Sequence, residues 1–270
     1  PLTARINGCG YRQLHSKHGH HQPVPNGWTA LKCNRQAMNS RRFYFTHLWI
    51  PLAVFIALAA TLELSHFDLT LGQLFYHAEG DSWALKNHWL LEQVLHRGGR
   101  NLMVLMLVIL LGTWSLSFAV AKLKPYQQAM GYLFLSAGVA ATLVSVGKHT
   151  TGVNCPWDLA LFGGSLDYTP IFSRRPDTIP AGQCFPAGHA SAGYAWIGLY
   201  FIALRYAPSK RGWALGLVLL LGLLFGVTQQ LRGAHFVSHD LWTLAICWFS
   251  ALACYCVIYR RPLPRATPLT

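Results

Sequence analysis

The chain has 270 residues, of which 53% are hydrophobic and 11% are charged, and its formal net charge is +13. A soluble domain carries roughly 25% charged residues, so this composition excludes an ordinary soluble enzyme. The positive charge does not indicate a nucleic-acid partner, because basic residues in a strongly apolar chain mark the cytoplasmic loops of a membrane protein.

Residues 1–37 differ from the rest of the chain: they are polar, contain no acidic residue and lack the apolar core of a secretory signal peptide. Met38 is followed by Asn-Ser-Arg-Arg and then by the first hydrophobic run, a common beginning for an inner-membrane protein. We therefore expect Met38 to be the true start and residues 1–37 to be an upstream translation or a disordered tail. The remaining divisions are a membrane domain over residues 38–262 and a cytoplasmic tail over residues 263–270.

Apolar residues are concentrated in runs close to the roughly 20 residues that a helix needs to cross a bilayer. Such runs predict an all-α polytopic membrane protein, a bundle of six transmembrane helices. The six predicted spans are Phe45–Leu62, Leu102–Ala121, Met130–Gly147, Ala190–Tyr206, Trp213–Leu231 and Leu241–Tyr259.

The distribution of charge predicts the orientation of these spans. With a cytoplasmic N-terminus, the short basic loops at residues 122–129 and 207–212 face the cytoplasm, and all nine acidic residues fall on or near the opposite side. We therefore expect a bacterial inner-membrane protein with its active site on the periplasmic face. The basic residues left on that acidic side need a functional explanation, and they include Lys148, Arg174, Arg175 and Arg232.

Two outer segments connect the predicted spans. Within residues 63–100, the stretch Trp83–Leu95 has apolar residues at helical spacing, which indicates either a helix lying in the membrane interface or a packed outer helix. The segment Lys148–His189 is long, polar and rich in Gly and Pro, and a loop of that length is usually functional. It contains Cys155 and Cys184, which are candidates for a disulfide if the loop faces an oxidising periplasm.

Three polar clusters lie at the outer ends of the last four predicted helices. They are Lys148 with Cys155-Pro156-Trp157-Asp158, then Pro186-Ala187-Gly188-His189, and then Arg232-Gly233-Ala234-His235 with His239 and Asp240. Ionisable residues at membrane helix ends that face one side indicate a shared site. Cations stabilise phosphate charge, one histidine can attack phosphorus and another can protonate the leaving oxygen, so these residue types suit phosphoryl transfer.

These clusters resemble the three signature motifs of the type-2 phosphatidic acid phosphatases: Lys-x6-Arg-Pro, Pro-Ser-Gly-His and Arg-x5-His-x3-Asp. The resemblance covers roughly residues 38–260 and includes the order of the motifs. It implies a six-helix bundle with a site at the outer leaflet. The second motif is matched most closely, with Ala187 in place of Ser. The resemblance implies that His189 is the general acid and that the Gly188 amide helps to hold the phosphate.

The third motif is recognisable but altered. By resemblance, His235 is the nucleophile, but the position of the family's Arg is Gln229, and Arg232 lies one helical turn later. The position of the orienting Asp is His239, and Asp240 follows it. His239 faces His235 better on a regular helix, whereas a carboxylate orients an imidazole better. We favour Asp240 and leave His239 open.

The first motif keeps Lys148 but has Cys155 where the family has Arg. Arg174 or Arg175 in the same loop is a candidate replacement for that phosphate-binding cation. His235 and His239 have the i,i+4 spacing of a zinc pair, but no His-Glu-x-x-His motif is present, and we predict no metal and no other cofactor.

The sequence thus predicts metal-independent dephosphorylation of a membrane lipid phosphate or pyrophosphate through a phosphohistidine intermediate. One alternative is a lipid phosphotransferase that passes the phosphoryl group to another lipid. The other alternative, given the substitutions at Gln229, His239 and Cys155, is a non-catalytic lipid-binding or scaffold protein that retains the fold. The expected partners are the membrane and a phosphorylated lipid.

Overall fold

A computed structural model of the chain describes residues 41–171, 173 and 176–259. Throughout those residues the regular secondary structure is helical, with one isolated β-bridge between Leu159 and Leu166. The predicted all-α class is therefore confirmed for the described part of the chain. The extension at residues 1–37, Met38 and the tail at residues 263–270 lie outside the described residues.

The chain divides into two compact units, Pro1–Ala53 and Val54–Thr270. The described part of the first unit is helical, with a π-helix at Phe45–Trp49. A second π-helix, Leu90–Gly98, runs directly into α3. The α-helices are α1 (Ile50–Ser65), α2 (Phe67–Ala78), α3 (Gly99–Leu116), α4 (Gln127–Thr151), α5 (Ala190–Tyr194), α6 (Gly198–Tyr206), α7 (Arg211–Leu231) and α8 (Val237–Ile258).

Among the described residues, five continuous helices are long and apolar enough to cross a membrane. They are Arg41–Ser65, Leu90–Leu116, Lys124–Asp158, Pro208–Leu231 and Val237–Ile258. A multi-pass membrane protein is therefore supported, although six spans were predicted.

The predicted fourth span, Ala190–Tyr206, is helical between those bounds but differs from the other five. A 3-10 turn at Ala195–Ile197 separates α5, which has 5 residues, from α6, which has 9 residues. Its first half is almost entirely buried in the protein. Small residues such as Ser191 and Gly193 suit a helix surrounded by other helices, and they also lower its hydropathy.

The first outer segment folds differently from the prediction. The structure has α2 (Phe67–Ala78) and a turn after Trp83, and the second membrane helix begins at Leu90, well before the predicted Leu102. Trp83 packs against the buried cluster of Leu159, Phe162 and Phe236, which accounts for the apolar pattern at this point. The prediction of one helix over Trp83–Leu95 is therefore wrong in its bounds.

The helix directions bring the polar motifs to one end of the molecule. The 25 residues of α4 span about 37 Å at a rise of about 1.5 Å per residue, so Lys148 in its last turn lies far from Lys124 before its start. The second motif precedes α5, and the third lies between α7 and α8. The Ala187 N–H donates to the His239 carbonyl at 3.3 Å, which ties the two motifs together.

Candidate active site

His235 and His189 meet at this end of the bundle. His235 lies in the turn between α7 and α8 and is 5% exposed. Gly233 allows that turn, because its φ is +68° and a Cβ there would lie 2.4 Å from the Trp83 ring. His189 directly precedes α5, and the centroids of the two imidazole rings are 6.5 Å apart. The structure therefore brings together the two histidines predicted to act in catalysis.

Lys148 lies beside both histidines. Its side chain passes over Gly188, where an added Cβ would lie 3.3 Å from Cδ and 3.4 Å from Nζ of the lysine. Its charge acts on the rings of both His189 and His235. The predicted phosphate-binding pair of Lys148 and Gly188 is thus placed against the two predicted catalytic rings.

The environment keeps both rings neutral at neutral pH. Burial, followed by the charge of Lys148, holds the pKa of His235 well below its ordinary value. Burial also lowers the pKa of His189 to about 3, with further contributions from His96, Lys148 and Arg232. A neutral imidazole is the nucleophilic form, so His235 is in the state that attack requires. His189 must gain a proton before it can act as an acid.

The neighbour of His235 is His239, and Asp240 faces elsewhere. The Nδ1 atoms of His239 and His235 are 3.5 Å apart, and both rings hydrogen-bond with the backbone of Cys184. The carboxylate of Asp240 accepts a hydrogen bond from Gln230 Nε2 and lies against Gly226 of α7. The regular geometry of α8 continues up to its first turn, so position 239 faces His235 and position 240 does not. These contacts do not match the preference for Asp240 as the orienting residue.

Arg232 is 4% exposed, and its guanidinium is held by other protein groups. Nε donates to the Lys86 carbonyl at 2.8 Å, Nη1 donates to Gln229 Oε1 at 2.9 Å, and Nη2 pairs with Glu92. Arg232 thus contacts Gln229, which occupies the motif position of the family's Arg. The guanidinium of Arg232 is, however, paired with the carboxylate of Glu92. Its predicted role as a direct phosphate ligand does not match this arrangement.

The second membrane helix contributes residues that the sequence reasoning missed. The centroid of the His96 ring is 3.7 Å from that of His189, and His96 Nδ1 is 2.9 Å from Glu92 Oε2. Arg100, one turn further along, is exposed and its charge acts on both rings. A sequence signal existed, since Glu92, His96 and Arg100 recur at intervals of four residues and so lie on one helix face.

The outer loop after α4 is fastened to the site. Cys155 and Cys184 are joined as a disulfide, with Cα atoms 5.1 Å apart, and the Trp157 N–H donates to the Gly233 carbonyl at 2.9 Å. The loop thereby reaches both the Cys184 backbone and the turn that carries His235. Arg174 and Arg175, the predicted replacement cations, lie outside the described residues.

The start of α8 is fixed by a residue from another helix. Asp68 of α2 accepts a hydrogen bond from the Ser238 N–H at 3.0 Å, which supplies a cap that Phe236 cannot provide. Burial raises the pKa of Asp68.

Across the described ranges, no group of three or more His, Cys, Asp or Glu side chains is arranged to hold a metal ion.

Comparison with known proteins identifies the family of the chain. The family model for the PAP2 superfamily matches residues 129–263, half of the chain. The chain belongs to the PAP2 superfamily. The predicted resemblance is therefore confirmed, and PAP2 membership supports a phosphatase-type activity on a phosphorylated substrate. The PAP2 match contains Lys148, His189 and His235, whereas Glu92 and His96 precede it. No curated protein and no solved structure matches the chain.

Proposed function

We propose that the protein dephosphorylates a membrane lipid phosphate or pyrophosphate at the outer leaflet, without a metal ion, through a phosphohistidine on His235. The observation that carries the proposal is the convergence of His235, His189 and Lys148 at one end of a membrane-spanning bundle. A site at the ends of membrane helices suits a substrate whose phosphate lies at the membrane surface and whose chains stay in the bilayer.

In the proposed mechanism, the phosphate lies against Lys148 Nζ and the Gly188 amide. His235 attacks phosphorus with Nε2, because its Nδ1 is turned towards His239. The bond from phosphorus to the leaving oxygen breaks, and His189 protonates that oxygen. In the second step a water molecule attacks the phosphohistidine and gives a proton to His189. The phosphorus–nitrogen bond breaks and its electron pair returns to His235. Positioned cations and amides stabilise the charge that builds up on the phosphoryl oxygens.

His239, rather than Asp240, is the proposed orienting residue. The rings of His239 and His235 both hydrogen-bond with the Cys184 backbone, and their Nδ1 atoms face each other. In this proposal the contact between the two rings directs Nε2 of His235 at phosphorus. Arg100 is the proposed replacement for the cation that is missing at Cys155, because its exposed side chain is near His189 and is not committed to an ion pair among the described residues. Arg232 stays paired with Glu92 and contributes its positive charge to the site without contacting the phosphate.

We further propose that the Cys155–Cys184 disulfide forms in an oxidising periplasm and fixes the Cys184 backbone against both histidines. Our proposal also locates the protein in a bacterial inner membrane, with this loop on the periplasmic face. In this proposal Ala190–Tyr206, the predicted fourth span, completes a bundle of six spans, and its first half is buried among the other helices.

The deciding experiment measures phosphate release by the purified protein in detergent with EDTA. The substrates are a panel of lipid monophosphates and pyrophosphates, and His235→Ala is compared with the unchanged chain. We expect release that the variant reduces by a factor of about 100 or more, since the nucleophile is lost. Equal release by the His235→Ala variant would overturn the assignment.

A second measurement separates hydrolysis from transfer. With ³²P-labelled lipid, a hydrolase places the label in inorganic phosphate, whereas a phosphotransferase places it on an added lipid acceptor. Label that stays on the substrate under both conditions contradicts an enzymatic role and supports the scaffold alternative.

A further inference from the structure

A polar face crosses the beginning of the second membrane helix. Glu92 and His96 lie in the π-helix Leu90–Gly98, and Arg100 follows in the first turn of α3. π-helical turns are frequent at functional sites. This helix is otherwise apolar enough to span a membrane, so three ionisable residues on one face need a function.

His96 contacts the ring that is predicted to act as the acid. The ring centroids of His96 and His189 are 3.7 Å apart, with an interplanar angle of 59°. His189 Nδ1 is buried and has no hydrogen-bond partner among the described residues. The adjacent ring of His96 is an imidazole, a group that can carry a proton near neutral pH.

Glu92 holds His96 in place. Its Oε2 lies 2.9 Å from His96 Nδ1 and also pairs with Arg232, while its Oε1 accepts from Arg97 Nε at 2.9 Å. A carboxylate on Nδ1 fixes the tautomer of an imidazole and stabilises its protonated form, which leaves Nε2 as the exchanging nitrogen. Because Arg232 fixes the same carboxylate, the position of Glu92 does not depend on the histidine alone.

We propose that Glu92 and His96 form a positioning pair that keeps one proton shared between His96 and His189 while the phosphate is bound. The inference rests on the proposed function, because it assigns a source to the proton that His189 transfers. Neither residue belongs to the part of the chain that the family model matches.

The proton balance closes over one turnover. With the phosphate bound, the shared proton sits on His189 and passes to the leaving oxygen when the phosphorus–oxygen bond breaks. The attacking water then loses a proton to the same pair as the phosphorus–nitrogen bond breaks. The pair ends each cycle with the proton with which it began. Glu92 stabilises the positive charge that this proton gives the pair before the first step and after the second.

The surrounding charges explain why a second imidazole is useful. His189 faces His96 and Arg100 from the second membrane helix, Lys148 from α4, Arg232 from the end of α7, and the neutral ring of His235. Burial and, after it, these charges oppose a proton on His189 and lower its pKa to about 3. A bound phosphate reverses part of this effect, and the carboxylate of Glu92 offsets more of it through His96.

The test uses the dependence on the leaving group. An alcohol leaves with difficulty unless it is protonated, whereas a nitrophenol leaves readily as the anion. Two synthetic phosphate monoesters with the same alkyl chain, one with each leaving group, are compared as a ratio of kcat/KM values. In His96→Gln the amide can still donate to Glu92 but cannot carry a proton. We expect the alcohol-to-nitrophenol ratio to fall at least about 10-fold, because general acid catalysis contributes about 100-fold or more.

Glu92→Gln is the second variant, and it should lower the same ratio. The ratio is independent of the fraction of protein that is folded, so a loss of stability does not imitate the effect. The pH profile provides a second readout: turnover of the alcohol ester should begin to fall at a lower pH in both variants. The fall with rising pH follows from loss of the shared proton, which the variants hold less firmly.

Asp81→Asn is the matched control. His77 and Asp81 form an imidazole–carboxylate pair with the same four-residue spacing, but both side chains are exposed. The control should leave the ratio and the pH profile unchanged. An unchanged ratio in His96→Gln, an equal loss with both esters or a shift in the control would overturn the inference. If the unchanged chain hydrolyses neither ester, the proposed function itself fails, which is a different result.

Discussion

At the scale of single residues, the motifs predict which residues form the site, whereas the local geometry determines which neighbours those residues contact. Lys148, His189 and His235 occupy motif positions, and the structure brings all three together. The partners of those residues depend on which way each neighbouring side chain points. Asp240 is chemically the better partner for an imidazole, but the helix turns it towards Gln230.

The assignment of the orienting role to His239 instead of Asp240 can be tested by substituting each residue. His239→Ala should lower kcat about 10- to 100-fold, because it removes the ring whose Nδ1 lies 3.5 Å from that of His235. Asp240→Asn should change kcat less than about 3-fold, because the amide oxygen can still accept from Gln230. Phosphate release at saturating lipid gives both values. The opposite order would return the orienting role to Asp240.

At the scale of helices, close packing determines where His189 is held. His189 directly precedes α5, and α5 packs against α7 through two glycines. A Cβ on Gly222 would lie 2.0 Å from the Tyr194 ring, and a Cβ on Gly193 would lie 2.3 Å from the Gly222 nitrogen. Glycine at these positions lets the backbones approach, as small residues do between membrane helices.

Alanine substitutions at two glycines of α7 should therefore differ in their effect on stability. Gly222→Ala should destabilise the protein by about 1 to 3 kcal/mol, because the added methyl group has no space beside Tyr194. It should also lower activity by displacing α5. Gly216→Ala is the control on the same helix, where an added Cβ meets nothing within 4 Å. Thermal unfolding in detergent compares the two variants, and equal melting temperatures would contradict this account of the packing.

At the scale of the whole molecule, the polar site and the basic turns lie at opposite ends of the bundle. Lys148, His189 and His235 share one end with the loop that Cys155 anchors. The 3-10 turns Lys124–Tyr126 and Pro208–Lys210 lie at the far ends of α4 and α7. Basic residues favour the cytoplasmic side, so the site should face the periplasm.

This orientation is tested by labelling intact cells with a maleimide that does not cross the membrane. Ser165→Cys is on the exposed loop at the site end, and Ser209→Cys is on the exposed turn at the other end. We expect labelling of the first variant above the level of the unchanged chain, and labelling of the second only after the cells are opened. The reverse pattern would place the site in the cytoplasm.

The sequence by itself determined the class of the protein and the order of its motifs, and it named three candidate site residues that the structure brings together. Those features follow from hydropathy and from residue types at fixed spacing, which are local properties of the chain. Only the tertiary structure decided that His239 rather than Asp240 contacts His235, and that Glu92 of the second membrane helix pairs with Arg232. It also decided that His96 lies against His189 and that the first half of the fourth predicted span is buried in the protein. These outcomes depend on contacts between distant helices, which local spacing does not encode.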